Sequence, residues 1–384
     1  MKEQLVSAFV ERFDARPTVV TRAPGRLEIL GNHTDYNEGV VLSVAVDRAA
    51  FVAAGAVPGG TCCIRDIMDG SERTFSLDSL DSPTSGDWAN YVKGVVVELQ
   101  KRGIEIPAFE AVFGSTVPMS AGMSSSAALE ISVAYALGEL AGADLPWQEW
   151  AKVGQGAENN YVGAKTGLLD QFSSIKGKAG QLVFSDFRTL EVENVPIPEG
   201  TALVVANSMV KHTLTNEYND RRESCEDAVA SLKPRMPDIT ALRDVSRADL
   251  ERHREALDPV SYQRALHVVG ENERVMAGIS ALEDNKLAAF GDLMFDSQNS
   301  STQHFENSCD ELDTLVAIGK TLPGAIGARL SGGGFGGITV HLVEADKAEP
   351  YSEALADVYS KQTGLESEAM ICQPADGANT LFKA

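Results

Sequence analysis

The chain has 384 residues, 43% of them apolar and 23% charged, which suits a packed protein of two ordinary domains. Its 55 acidic residues against 33 basic ones give a net charge of −22. A surface of that sign repels nucleic acid and anionic lipid, and otherwise serves solubility, so neither class of partner is expected.

The N-terminal segment is charged throughout and no apolar run reaches membrane-spanning length. Cys62, Cys63, Cys225, Cys309 and Cys372 have neither disulfide-framework nor metal-site spacing, so free thiols in a cytoplasmic protein are expected.

In chain order, residues 5–13 read as a short amphipathic helix, and 19–23 and 40–56 as strands. Between the strands, 24–39 is dense in His, Asp, Asn and Gly, the composition of a binding loop. Tyr91, Val95 and Leu99 have helical spacing within 88–102, and 109–117 alternates like a strand. Residues 124–140 and 147–162 read as helices. Beyond residue 180 come strands at 181–184, 202–206, 325–329 and 337–343, and helices at 217–232 and 259–279. Two α+β domains are expected, 1–180 and 181–384.

Residues 118–128 join a strand to a long apolar helix and carry Pro118, Gly122, Ser124, Ser125, Ser126 and Ala127. A helix start offers unpaired N–H groups and partial positive charge, glycine lets an anion approach the backbone, and serines add hydroxyls. The plainer alternative is an N-cap in a serine-rich turn; the strand before and apolar helix after favour phosphate. No Walker-type loop is present. The glycine run 332–337 formally matches a dinucleotide fingerprint, but a β-like segment follows it, so a tight turn admitting another backbone or a ligand is the better reading.

Phosphoryl transfer needs a metal to bridge phosphates, a cation near the transferred group and a residue at the acceptor hydroxyl. Arg26 offers the cation, Asp170 and Glu158 are carboxylates near loops, and His33 and Asp35 could hold hydroxyls of a polyol. The histidines, His212 among them, show no metal-ligand spacing.

Several segments then resemble galactokinases of the GHMP kinase superfamily, nearly end to end. They are 23–26 with 31–37 (Gly-Asn-His-Thr-Asp-Tyr-Asn), 88–94, 118–128, 167–172 (Gly-Leu-Leu-Asp-Gln-Phe), 207–214, 217–222 and 331–337. The resemblance implies an N-terminal domain of ribosomal-protein-S5 type, a ferredoxin-like C-terminal domain and a site between them. It implies an ATP-dependent sugar 1-kinase acting on galactose, with Mg²⁺ as cofactor, as a monomer or else a dimer. By position, Asp170 faces the C1 hydroxyl, either removing its proton or orienting it, with Arg26 beside it. Ser126 and Glu158 match Mg²⁺ positions; Asn32, His33, Asp35, Gly167 and Tyr218 match sugar positions; and Pro118, Gly122 and Ser124–Ser126 with Ala127 match the ATP segment.

There is one departure. The family usually reads Arg-x-Asn-x-Ile-Gly-Glu-His, whereas here Glu28 stands at the Asn position and Asn32 at the Glu position, where the family's carboxylate meets the far hydroxyls of the sugar. Two readings follow: Glu28 compensates and galactose is kept, or the sugar is another hexose or a modified galactose. Ser43, where the family commonly has Pro, is a weaker departure. A non-catalytic sugar sensor is a third reading, disfavoured because Ser124–Ser126 and Asp170 are intact.

Overall fold

The structure is a computed structural model that describes residues 1–80, 82–118, 122–210 and 215–384; the side chains of Thr215 and Asn216 also lie outside it. Met119, Ser120 and Ala121 of the expected phosphate segment, and 211–214 with His212, are therefore outside the described residues.

Among the described residues, twelve strands form two sheets. The first sheet contains β1 (Val19–Leu30), β2 (Val40–Ala56), β3 (Thr61–Asp66), β4 (Glu72–Ser76), β5 (Phe109–Ser115), β6 (Gln181–Asp186) and β7 (Glu191–Pro196). The second contains β8 (Thr201–Asn207), β9 (Ala325–Ser331), β10 (Ile338–Glu344) and β11 (Ala369–Cys372), and the last strand, β12 (Asn379–Lys383), returns to the first sheet. The larger order is β12-β1-β2-β5-β3-β4, with β6 on β2 and β7 on β6. The smaller order, β11-β8-β10-β9, is antiparallel throughout. Taken in chain order its strands lie 4-1-3-2, with helices between the first and second and between the third and fourth, which is the ferredoxin-like arrangement. The larger sheet does not divide at residue 180, since β6, β7 and β12 all belong to it.

The expected loop over 24–39 is half strand. β1 runs through Pro24 and Gly25 to Leu30, with register shifts at Pro24/Arg26 and Glu28/Leu30. Bulges explain it, because they accommodate a proline and re-aim side chains without ending the strand. Between the shifts the register is regular, Arg26 opposite Ala45 and Glu28 opposite Ser43, so Arg26 and Glu28 point to one face.

Helices Ala89–Lys101, Ser125–Ala141, Trp147–Gly156 and Leu169–Lys176 cover one side of the large sheet around a core including Val92, Val95, Ile131, Leu137 and Phe172. A second core joins the sheets, with Leu27, Leu42 and Val44 meeting Leu203, Val205, Val340 and Phe290. β8 shows the period of two that this requires: Leu203 and Val205 face the large sheet, while Val204 and Ala206 face another core with Leu315 and Leu355. This shared apolar core fixes the glycine run after β9 against β1. Among the described residues no helix is long and apolar enough to cross a membrane.

Candidate active site

Arg26 leaves β1 at the seam between the sheets. Its Nε and Nη2 reach Asp170 Oδ1 at 2.8 and 2.7 Å, and Nη1 donates to Gly122 O at 2.6 Å. Asp170 lies in the first turn of helix Leu169–Lys176, and its other oxygen, Oδ2, accepts from Ser124 Oγ at 2.5 Å. A carboxylate has about four lone-pair sites. Among the described residues three are occupied, and the one left is on Oδ2.

Ser124 is the N-cap of helix Ser125–Ala141, yet its hydroxyl does not cap the helix. Its φ of 53° is left-handed, a conformation costing a non-glycine residue about 1–2 kcal/mol. That backbone turns the hydroxyl to Asp170, so the Ser124 side chain does not cap the helix, and a helix start without a side-chain cap is suited to an anion.

Helix Trp147–Gly156 widens into a π-type turn, Ala157–Val162, that carries Glu158. Glu158 Oε1 accepts from Ser126 Oγ at 3.1 Å, and Oε2 from Thr166 Oγ1 at 3.0 Å. Burial, then the nearby Asp170 charge, pushes Glu158 up to about 7. Behind it Gln171 Nε2 donates to buried Glu130 at 3.2 Å, and Glu130 is pushed well above the usual carboxylate range by burial and by Glu158. No group of three or more His, Cys, Asp or Glu residues fit to hold a metal occurs among the described residues. Ser126 and Glu158 instead give two hard oxygens facing one space, which suits Mg²⁺ completed by substrate phosphates and water.

On the other side, the turn after β1 carries His33, itself left-handed at φ 61°. Gly333 O, 3.1 Å away, can only accept, so His33 Nε2 bears the proton and Nδ1 accepts from Tyr36 O–H at 2.9 Å. Burial lowers His33 to about 3, so the ring is neutral. Both nitrogens are engaged within the protein, and the ring packs 5.0 Å from Tyr218 and 4.6 Å from Phe305 between centroids. Asp35 sits over Gly167, with Oδ2 3.5 Å from Leu169 N, and is raised to about 6 by burial and by Asp170.

Glu28 and Asn32 are both buried and hydrogen-bonded to each other. Burial, opposed by Arg329 and Arg26, raises Glu28 to about 7.

Arg26, Asn32, His33, Asp35, Gly122, Ser124, Ser125, Ser126, Glu158, Gly167, Asp170 and Tyr218 all line one cleft of about 330 Å³, within the range of small-molecule sites. Pro118 and Ala127 do not line it; Ala127 is fully buried in its helix. The cleft also takes Tyr91, Thr166, Asn219, Gly332 and Gly333, which sequence reasoning did not place there. Thr166 carried no motif of its own, and Tyr91, inside the family-like stretch 88–94, read only as a helix position. The glycine run did signal close backbone approach: a Cβ on Gly334 would strike Asn307 O. Asn219 Oδ1, beside Tyr218 in the lining, is buried without a partner among the described residues.

Comparison with known proteins gives the family. A galactokinase galactose-binding signature matches residues 7–56, the GHMP kinases N-terminal domain 90–178 and the GHMP kinases C-terminal domain 279–361. Galactokinases of Chloroflexus aggregans and Chloroflexus aurantiacus are 38% and 40% identical over 98% of this chain and 97% of theirs. A crystal structure of Lactococcus lactis galactokinase complexed with galactose superposes with a TM-score of 0.94 at 30% identity, covering 99% of this chain and 100% of that one. A mevalonate kinase, at 17% identity and TM-score 0.62 over 93% of this chain and 99% of its own, shares the fold. At such identity over essentially its whole length, the chain belongs to the galactokinase family and has the two-domain GHMP kinase fold.

Proposed function

We propose that this protein transfers the γ-phosphoryl group of ATP to the anomeric hydroxyl of galactose, giving galactose 1-phosphate and ADP. The observation that carries the reading is Asp170, clamped by Arg26 on one oxygen and Ser124 on the other, with one acceptor site left toward the cleft. The C1 hydroxyl donates to that site. As its oxygen bonds to the γ-phosphorus and the bond to the ADP oxygen breaks, the proton passes to Asp170 Oδ2. Arg26 orients Asp170 and sets a positive charge beside the moving phosphoryl group. The backbone at Gly122 and the helix start at Ser125 and Ser126 cradle the phosphates.

Ser126 and Glu158 would hold Mg²⁺, which when bound would offset charge on the phosphate oxygens. Asp35, Tyr218 and the ring of His33 shape the sugar side. Five free thiols suit a reducing cytoplasm.

The test is ADP release across a panel of hexoses, with Asp170→Asn as control. Galactose is expected to be the best substrate, and the variant to bind ATP while losing nearly all turnover. Inert galactose beside an active second hexose would overturn the choice of sugar; normal turnover by Asp170→Asn would overturn its role.

A further inference from the structure

The amide of Asn32 is fully used inside the protein. Its Nδ2 donates to Glu28 Oε1 and Oε2 at 3.2 and 3.1 Å and to Gly332 O at 2.9 Å, and its Oδ1 accepts from Asn307 Nδ2 at 2.9 Å. Its main chain is fixed as well: the N–H donates to Glu271 at 2.9 Å and the carbonyl accepts from His267 at 3.1 Å. An amide nitrogen has two hydrogens, so Asn32 has no donor left for a substrate hydroxyl.

Glu28 is the reverse case. Of its roughly four lone-pair sites, Asn32 takes one on each oxygen and Gly332 N takes another on Oε2 at 3.2 Å. Among the described residues the remaining site is on Oε1. Its other neighbour there is Arg329 Nη1 at 3.8 Å, an ion-pair distance beyond hydrogen bonding. Arg329 is wholly buried, and none of its side-chain nitrogens has a hydrogen-bond partner among the described residues. Its charge makes an anion at Glu28 costly to remove.

Position adds the direction. Glu28 lines the cleft two residues beyond Arg26 on the same face of β1, about 6.5–7 Å along the strand. Arg26 marks the reacting end, since it holds Asp170. That separation is about the span of a pyranose ring with its outer hydroxyls.

We infer that Glu28 is the carboxylate that selects the sugar at the end of the ring away from C1, accepting a hydrogen bond from one of its hydroxyls on Oε1, and that Asn32 is a positioning residue that holds Glu28 there. A site built to pair a hydroxyl rejects the analogue lacking it, because its own polar group is left unpaired. The inference rests on the reading of the protein as a galactose 1-kinase.

The experiment compares wild type and Glu28→Gln on galactose and on 3-deoxy-, 4-deoxy- and 6-deoxygalactose, with KM for each sugar, KM for ATP and kcat read separately. For wild type, one deoxy sugar should show a KM roughly tenfold to a hundredfold above galactose, the cost of a hydrogen bond to a charged group. Glu28→Gln should raise the galactose KM by a similar factor, leave KM for ATP unchanged, and leave that one deoxy sugar no worse than in wild type. Asn32→Ala should show the same sugar-selective pattern, and add nothing in the Glu28→Gln background.

If Glu28→Gln fails to fold beside an uncompensated Arg329, Glu28→Asp keeps the charge, withdraws the carboxylate by one methylene and carries the same comparison. An equal effect on galactose and all three deoxy sugars, or an unchanged galactose KM, overturns the inference. Wild-type protein inert toward galactose but active on another hexose overturns the choice of sugar instead, and the same cycle on deoxy forms of that hexose then decides the role of Glu28.

Discussion

Replacing Gly167 by Ala should damage sugar binding while sparing ATP. Gly167 is not in the left-handed region, so alanine meets no backbone strain there. Its Cβ, however, would fall on the Asp35 carboxylate, well inside the 3.0 Å that Cβ contacts essentially never breach. Asp35 must retreat by at least about 1 Å, and a misplacement of that size can cost about 100-fold in a positioned site. The carboxylate has little room, because the turn Asp35–Asn37 is pinned: Thr34 Oγ1 donates to Gly31 O and Val40 O, and Asn37 Nδ2 donates to His33 O.

The phosphate end is built on other elements, β1 at Arg26 and the start of helix Ser125–Ala141. The galactose KM should therefore rise about tenfold to a hundredfold, with KM for ATP within about twofold, and stability should drop by about 1–3 kcal/mol from overpacking. Steady-state ADP release, titrated in each substrate separately, reads the split, and urea unfolding reads the stability. A galactose KM within twofold of wild type in a folded Gly167→Ala protein would refute Asp35 as a sugar-side group.

Two further outcomes are expected. Glu158→Gln should weaken the Mg²⁺ dependence of ATP binding by about tenfold or more, read by calorimetry at several Mg²⁺ concentrations; unchanged dependence would remove Glu158 from the metal position. His341, buried between Thr339 Oγ1 at 2.7 Å and Tyr351 O–H at 2.8 Å, is lowered to about 3 by burial. Between about 6.5 and 3 the unfolded chain binds a proton there and the native protein does not, so this site makes stability fall as pH falls. The stability gap between wild type and His341→Gln should narrow by about 1.4 kcal/mol from pH 7.5 to 5.5. A constant gap would mean the histidine charges in the fold. Glu28, Glu158 and Asp35, raised by burial, act in the opposite sense: each stabilises at low pH and loses that contribution as pH rises toward 6–7. The whole-protein slope is therefore smaller than the histidines alone would give, and the single-site difference isolates one of them.

The sequence by itself determined the local parts of this protein. Periodicity marked the helix Ser125–Ala141 and the strands β2, β5, β8 and β10, because each is an apolar face that must be buried. Glycine and serine at a helix start marked a candidate anion site, because the chemistry proposed for it lies in the backbone of one short segment. The order of motifs marked the family and, with it, most of the cleft.

What only the tertiary structure decided depends on groups far apart in the chain. Ser124 reads as a serine of the phosphate segment, with a plain N-cap as the alternative; its hydroxyl donates to Asp170, 46 positions away. Residues 24–30 looked like loop and became strand, because β2 and the bulges hold them there, and so Arg26 and Glu28 share a face. The partners that saturate Asn32 come from positions 307 and 332, brought in by packing of the two sheets. A sequence states which hydrogen-bonding groups exist; which of them are already satisfied, and which are left for a substrate, is settled only when the fold has paired the rest.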